Sequence, residues 1–333
     1  MHNDLLNIDT VVPYLADRGL IDAGVARASV LEGGVSNVVL AVDDDGRHVV
    51  VKQSLPTLRV ADEWNAPRER MITEDAALAL AGRLAPGSVP TVLDRDPALF
   101  TIVMERAPQS WTDWKKELLA GNVEARFARW LGRTLGSWHT QTHYAPLHPR
   151  FEDPAAFDAL RVDPYYRTVA QRAPEHADAV LAHAAEMAER RTCFVHGDFS
   201  PKNVLVGRGD ADPWVIDFEA AHRGDPVFDV AFMLTHLSMK AIHLQEIATR
   251  FDECALAFAI AYDDEASHGV AARWRYVFGH VGCLLLARVV GKSPAEYLTE
   301  DDRKRVWALG VDLLSSPPDS PEELSERRKA ASA

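Results

Sequence analysis

The 333-residue chain is poor in cysteine, in positive charge and in long apolar runs. Its three cysteines, Cys193, Cys254 and Cys283, lie far apart and form no C-x-x-C pair, which excludes a disulfide framework and a zinc ribbon. Lysine and arginine total 36 against 49 aspartates and glutamates, a formal net charge of -13. A nucleic-acid-binding protein ordinarily carries a basic face, so nucleic acid is not an expected partner. The same balance favours a neutral or cationic small substrate over a polyanion. The most apolar late stretch, "VFGHVGCLLLARVVG", contains His280 and Arg288 and is too short and too polar to span a bilayer. The opening "MHNDLLNIDT" has acids and no apolar segment, so neither a secretory signal nor a membrane is expected, and a reducing cytoplasm is the expected compartment.

What remains is an ordinary globular composition, 47% apolar and 26% charged, in a length that suits two lobes better than one core. "IDTVVPYLADRGL" has helical spacing, with Asp9 as its expected cap and Gly19 near its end. "RASVLEG" and "NVVLAVDDDGRHVVVKQSL" hold valine-rich runs, the latter broken by "DDDG", a hairpin signal. "ERMITEDAALALAGRLA" returns to helical spacing, and "VPTVLDRDPALFTIVMERA" adds two strands about a turn. These segments predict a small β-rich lobe over residues 1–105 and a hinge over 106–110, broken by Pro108. Long amphipathic stretches such as "VEARFARWLGRTLGSWHTQTH" predict a larger α-rich lobe over 111–314. The Pro-, Ser- and charge-rich tail, 315–333, is expected to be mobile. The fold class is α+β in two lobes.

The chemistry-bearing residues come in a telling order. Gly33, Gly34, Ser36 and Asn37 lie between two predicted strands, where glycines let backbone N–H groups approach phosphate oxygens. Lys52 ends the strand one hairpin later, where a kinase places the lysine that reaches nucleotide phosphates. Glu74, at the start of the next helix, is its expected partner in preference to Glu69. Backbone groups at Met104, Glu105 and Arg106 are candidates for the adenine edge. Then comes "VHGDFSPKNVLV", with Asp198 five residues before Asn203, followed by "VIDFE" with Asp217. The intervening "VLVGRGDADPWVID" reads as a hairpin that brings all three to one edge. Phosphoryl transfer uses such a set: a carboxylate orients the attacking hydroxyl, while an amide and a second carboxylate hold Mg²⁺ on the phosphates of ATP. The acceptor is then a small molecule with a free hydroxyl.

"VHGDFSPKNVLV" with "VIDFEAAHRGDPVFDVAFML" resembles the aminoglycoside phosphotransferase and choline kinase superfamily, whose fold is protein-kinase-like. The resemblance runs from about Leu31 to Leu314. It implies Asp198 as catalytic base, Asn203 and Asp217 as Mg²⁺ ligands, and Lys52 with Glu74 as the phosphate-positioning pair. It also implies that Asp229 braces the catalytic loop. A narrower likeness, over "VVKQSLPTLRVADEW" and "TEDAAL", is to 5-methylthioribose kinases. Against it, those usually read H-G-D-L-H-T-G-S where this chain has Ser200, Pro201, Lys202 and Asn203, and their late double arginine has no clear match in "RWRYVFGHVG". Expected acceptors are therefore a sugar, an aminoglycoside or an amino alcohol, with methylthioribose or a nucleotide-binding scaffold role as alternatives.

Other residues invite a reading. Glu219 is a candidate metal or substrate ligand, and Lys202 could face the γ-phosphate. His196 should order the loop. His139 and His143 have the i, i+4 spacing of a zinc pair but lack a third ligand, so His139 is expected to pack against the catalytic loop. Trp64 could form a lid, and Trp111 and Trp114 should pack between the lobes. His222, Arg223, Trp274, Arg275 and Arg288 fall where the superfamily builds its acceptor pocket.

Overall fold

The valine alternation of the first lobe dictates its two faces. In the computed structural model, which describes residues 5–31, 36–57, 66–267 and 273–332, five antiparallel strands stand in the order β1-β2-β3-β5-β4. They are β1 (Arg27–Val30), β2 (Asn37–Asp43), β3 (His48–Ser54), β4 (Val92–Asp96) and β5 (Thr101–Glu105). The β2–β3 turn is set by Asp44, whose carboxylate accepts from the N–H groups of Gly46 and Arg47 at 2.9 and 2.6 Å. Val49 and Val51 of β3 pack with Leu40, Val42 and Val103 under helix α1 (Val11–Asp17). Because side chains alternate along a strand, Val50 and Lys52 then face the opposite side, toward helix α2 (Arg70–Leu84) and the second lobe. Asp9 does not cap α1: Thr10 holds the N-cap position, and the Asp9 N–H donates to Asn7 instead.

The second lobe contains α3 (Trp114–Leu119), α4 (Ala125–Thr142), α5 (Ala155–Phe157), a π-helical segment (Asp158–Arg167), α6 (Thr168–Arg172) and α7 (Ala177–Glu189). Short strands follow in two small antiparallel sheets, β6 (Thr112–Asp113) with β8 (Val204–Val206) and β9 (Trp214–Val215), and β7 (Cys193–Val195) with β10 (His222–Gly224). Helices α8 (Val227–His243), α9 (Ala248–Glu265), α10 (Trp274–Val290), α11 (Glu300–Ser315) and α12 (Glu323–Ser332) complete it. Gly132 and Gly136 let α4 lie against α9; a Cβ on Gly132 would stand 2.4 Å from the Phe258 carbonyl oxygen. All of α8 except His243 is buried. Among the described residues no single helix is long and apolar enough to cross a membrane; α8 and α9 pass that test only together, bent by 113°.

The tail differs from its expectation. Its last segment folds as α12, with Leu324 buried and Arg328 holding Asp252 of α9 through two bonds of 2.9 and 2.8 Å. Composition misses this because a few residues carry the docking, Leu324 and Arg328 together with Arg327, which holds Asp312 of α11. Trp111 and Trp114 pack near the lobe junction, Trp111 edge-on to Trp214 and Trp114 to Phe127. Trp64 lies outside the described residues.

Candidate active site

Strand β7 delivers the catalytic-loop residues, and its end is locked from below. Gly197 has φ +79°, and a Cβ there would meet the Ala220 carbonyl oxygen at 2.5 Å, so glycine is required. The buried Asp229 of α8 accepts the N–H groups of His196 and Gly197 at 2.7 and 2.9 Å. Burial opposes its charge, yet His139, 3.5 Å away, and His196 outweigh burial and hold Asp229 below the usual carboxylate range. His196 accepts the Asp198 N–H at Nδ1 (3.1 Å), so its Nε2 is the protonated nitrogen and donates to the Ile216 carbonyl (3.2 Å). Burial lowers the His196 pKa, in keeping with a neutral ring. Phe199 and Phe218 rest on Trp138 beneath the loop.

Asp198 is held by one amide and two cations. Asn203 donates from Nδ2 to its Oδ2 (2.7 Å), Arg161 donates from Nη2 to the same oxygen (2.6 Å), and Lys202 stands 3.8 Å away. Among the described residues no donor reaches Oδ1, which leaves that oxygen to accept a proton. Arg161 sits in the π-helical segment and also donates to the Gly197 carbonyl at 2.8 Å. Widened helical turns of this kind recur at functional sites.

The hairpin β8–β9 carries Asp217 to the same edge. Its φ of +70° is a left-handed conformation that costs energy for a non-glycine residue and is typical of functional positions. Lys52 crosses from the first lobe and contacts Asp217 at 2.5 Å and Glu74 at 2.7 Å. Burial disfavours its charge, but Asp217, Glu74 and Glu219 outweigh burial and keep it an ammonium well above its usual range. Asp217 is held low despite burial, mainly by Lys52 and Lys202, whereas burial drives Glu74 upward and Lys52 offsets only part of that rise. Glu69 is the N-cap residue of α2, and it is Glu74 that pairs with Lys52.

Glu219 is a tie between the lobes. It accepts from Ser36 Oγ (2.7 Å), Asn37 Nδ2 (2.9 Å) and Arg70 Nε (3.1 Å). The Ser36 and Asn37 side chains, expected at phosphate, thus turn to Glu219 instead; Gly33 and Gly34 lie outside the described residues. At the hinge, the N–H groups of Glu105 and Arg106 donate to Thr91 and His48 carbonyls, and the Arg106 guanidinium binds Asp43. Of the backbone groups expected at the adenine edge, these two N–H groups are therefore engaged within the protein, and the Met104 side chain is buried within β5. His222 stacks on Phe157, with ring centroids 4.1 Å apart, and burial depresses its pKa to about 4. Arg223 holds Glu152 at 2.6 Å, Trp274 donates to Asp263, and Arg275, exposed, pairs with Asp319. All four are thus engaged by other side chains of the second lobe. Arg288 does reach inward, to Tyr165. His139 packs between Asp229 and Tyr262, and among the described residues no metal-ready cluster of three His, Cys, Asp or Glu exists.

Residues 27–272 match the phosphotransferase enzyme family. The chain belongs to that family. This phosphotransferase is 24% identical to the methylthioribose kinase of Bacillus thuringiensis subsp. konkukian, over 92% of this chain and 91% of that protein. It is 22% identical to the methylthioribose kinase of Bacillus cereus strain B4264, with the same coverage of 92% and 91%. Its fold is similar to a choline kinase from Streptococcus pneumoniae, with a TM-score of 0.52 at 14% identity over 97% of this chain and 96% of that one. An ethanolamine kinase from Plasmodium vivax gives 0.51 at 11% identity, over 99% and 91%. The expected two-lobed kinase-like fold is the observed one, and the protein is an enzyme of the small-molecule phosphotransferase class. Sequence reasoning missed Arg70 and Arg161. Neither has a local signal, since the carboxylates they hold, Glu219 and Asp198, are met only across the fold.

Proposed function

We propose that this phosphotransferase takes ATP with Mg²⁺ between its lobes and moves the γ-phosphoryl group to a hydroxyl of a small acceptor. The observation that carries the reading is the convergence of Asp198, Asn203 and Asp217 at one edge, with Lys52 and Glu74 reaching it from the other lobe. Asn203 commits its nitrogen to Asp198, which leaves its amide oxygen, with an Asp217 carboxylate oxygen, as a pair of hard donors suited to Mg²⁺. When bound, the metal neutralises phosphate charge. Lys52 positions the nucleotide phosphates. Asp198 orients the acceptor hydroxyl and takes its proton on Oδ1 as the oxygen bonds to the γ-phosphorus and the bond to the leaving diphosphate breaks. Arg161 and Asn203 fix the other oxygen of Asp198, so that one rotamer faces the acceptor. Positioning and charge stabilisation supply most of the rate enhancement in such transfers. Three buried free thiols suit a reducing compartment where ATP is made, and we place the enzyme in the cytoplasm.

The test is Mg²⁺-dependent ADP release, with Asp198→Ala in parallel, over methylthioribose, aminoglycosides, choline, homoserine and amino sugars. Turnover with one acceptor, lost by 10³-fold or more in the variant at unchanged nucleotide affinity, is the expected result (a magnitude on the order of that for loss of a catalytic base). Absence of nucleotide binding would sink the reading. Methylthioribose as acceptor is a second reading, favoured by the similarity to methylthioribose kinases along nearly the whole chain.

A further inference from the structure

Beyond Asp198 and the Arg161 that holds it, the second lobe continues to two buried cations, Arg288 and Lys240, that the reaction as described does not use. The Arg161 guanidinium lies 5.9 Å over the Tyr165 ring, and the Tyr165 hydroxyl accepts from Arg288 at 3.4 Å. Phe232, beside Tyr165, contacts the His236 ring at 4.8 Å, and Lys240 donates to the His236 carbonyl at 3.3 Å. Lys240 also stands 5.4 Å from the Tyr297 ring. These groups come from the π-helical segment, α8, α10 and the stretch between α10 and α11, all in the lobe that supplies Asp198.

Arg161 is paired with Asp198, but the two deeper cations are not so matched among the described residues. Among the described residues neither Lys240 nor Arg288 makes an ion pair, although both are buried, Lys240 completely. The nearby acid, Glu296, is already paired with Lys115. The Arg288 Nε and the Tyr297 hydroxyl are buried without a hydrogen-bond partner. Native proteins rarely leave buried charges and donors in this state, because each forfeits its hydration for nothing. The electrostatic cost is visible on the groups themselves. Burial, with Lys115 and Arg288, pushes Lys240 down to about 7, and burial with Lys240 and Arg288 holds His236 well below its ordinary range.

We propose that the acceptor is an anionic hydroxy compound. Its carboxylate or phosphate would lie against Lys202 and Arg288, with Lys240 raising the potential from behind, while its hydroxyl faces Asp198. The inference rests on the reading of the cleft as a kinase site. It reverses the substrate charge suggested by the net charge of the chain, because the whole-molecule sum hides this local excess of cations.

The test is calorimetric titration with sulfate, D-gluconate and its neutral counterpart sorbitol, at fixed ionic strength, with Mg²⁺ and a non-hydrolysable ATP analogue. Lys240→Met and Arg288→Met are run alongside. Wild-type protein is expected to take both anions and to bind D-gluconate at least tenfold tighter than sorbitol. Each variant is expected to weaken the anions by tenfold or more and to leave the affinity of the analogue unchanged. Lys240→Met removes a buried, unpaired cation, so it is also expected to raise Tm in sulfate-free buffer, which guards against misfolding as an explanation. Anion affinity unmoved in both variants, sorbitol bound as well as D-gluconate, or no anion bound would each overturn the proposal. Failure of the ATP analogue to bind is a separate outcome and strikes the kinase reading instead.

Discussion

Arg70→Met tests how the two lobes are joined. Arg70 is 1% exposed and donates five hydrogen bonds besides those of its own backbone: to Glu219, and to the carbonyls of Ser36, Leu55, Ala66 and Pro67, at 2.5–3.1 Å. Methionine preserves the stem and removes every donor. The carbonyls are then buried with fewer partners, and Glu219 keeps only Ser36 and Asn37. Breaking one member of a buried ion pair costs about 3–5 kcal/mol, and the unsatisfied carbonyls hold the value toward the upper end. With a urea dependence of about 3 kcal/mol per M for a chain of this size, the midpoint should fall by roughly 1.3–1.7 M. Tryptophan fluorescence and circular dichroism would follow the transition. The double variant Arg70→Met with Glu219→Leu should lose less than the two single losses added, by about 1 kcal/mol or more, because the pair acts as a unit. The KM for ATP should rise in Arg70→Met, since Ser36 and Asn37 flank the glycine turn. A loss under about 1 kcal/mol, or strict additivity in the double variant, would refute the claim that this buried arginine ties the lobes together.

Further outcomes can be checked singly. His222 is neutral and buried, with its folded pKa at about 4 against 6.5 in the unfolded chain, so the unfolded state binds the extra proton between those values. Its contribution is fully present above pH 6.5 and is lost as pH falls toward 4, by about 3 kcal/mol in all. His222→Phe keeps the stack on Phe157 and should flatten the slope of urea midpoint against pH over that window; an unchanged slope would count against it. Gly132→Ala should lower Tm despite the better helix propensity of alanine, because the new Cβ meets the α9 backbone at 2.4 Å and overpacking costs about 1–3 kcal/mol. Asn203→Ala should raise the Mg²⁺ concentration for half-maximal activity tenfold or more; an unchanged requirement would remove Asn203 from the metal site. Arg328→Met should release α12 from Asp252, seen as faster proteolysis of the tail with the rest of the chain intact.

The parts of this enzyme readable from the chain are those set by neighbours in sequence. Valine alternation around "DDDG" specifies the β2–β3 hairpin, because strand faces follow a period of two and the turn is closed by Asp44 itself. The catalytic loop is legible for the same reason, since Asp198 and Asn203 are five residues apart and bond to each other. Long-range partners are different. Nothing local distinguishes Arg70 or Arg161 from any surface arginine; Arg70 meets Glu219 across 149 positions and Arg161 meets Asp198 across 37. Ser36, Asn37 and Glu219 were readable as polar groups near phosphate or metal, yet only the packing of the lobes turns them toward one another. The partners of His222, Arg223, Trp274 and Arg275 were not legible either: helix rotation and strand register bring them to Phe157, Glu152, Asp263 and Asp319. The net charge of -13 is likewise a sum over the whole surface, and a sum carries no record of where the buried lysine and arginines gather. Local order follows from backbone periodicity and short-range bonding, whereas side-chain partnership depends on distances that exist only once the chain has packed.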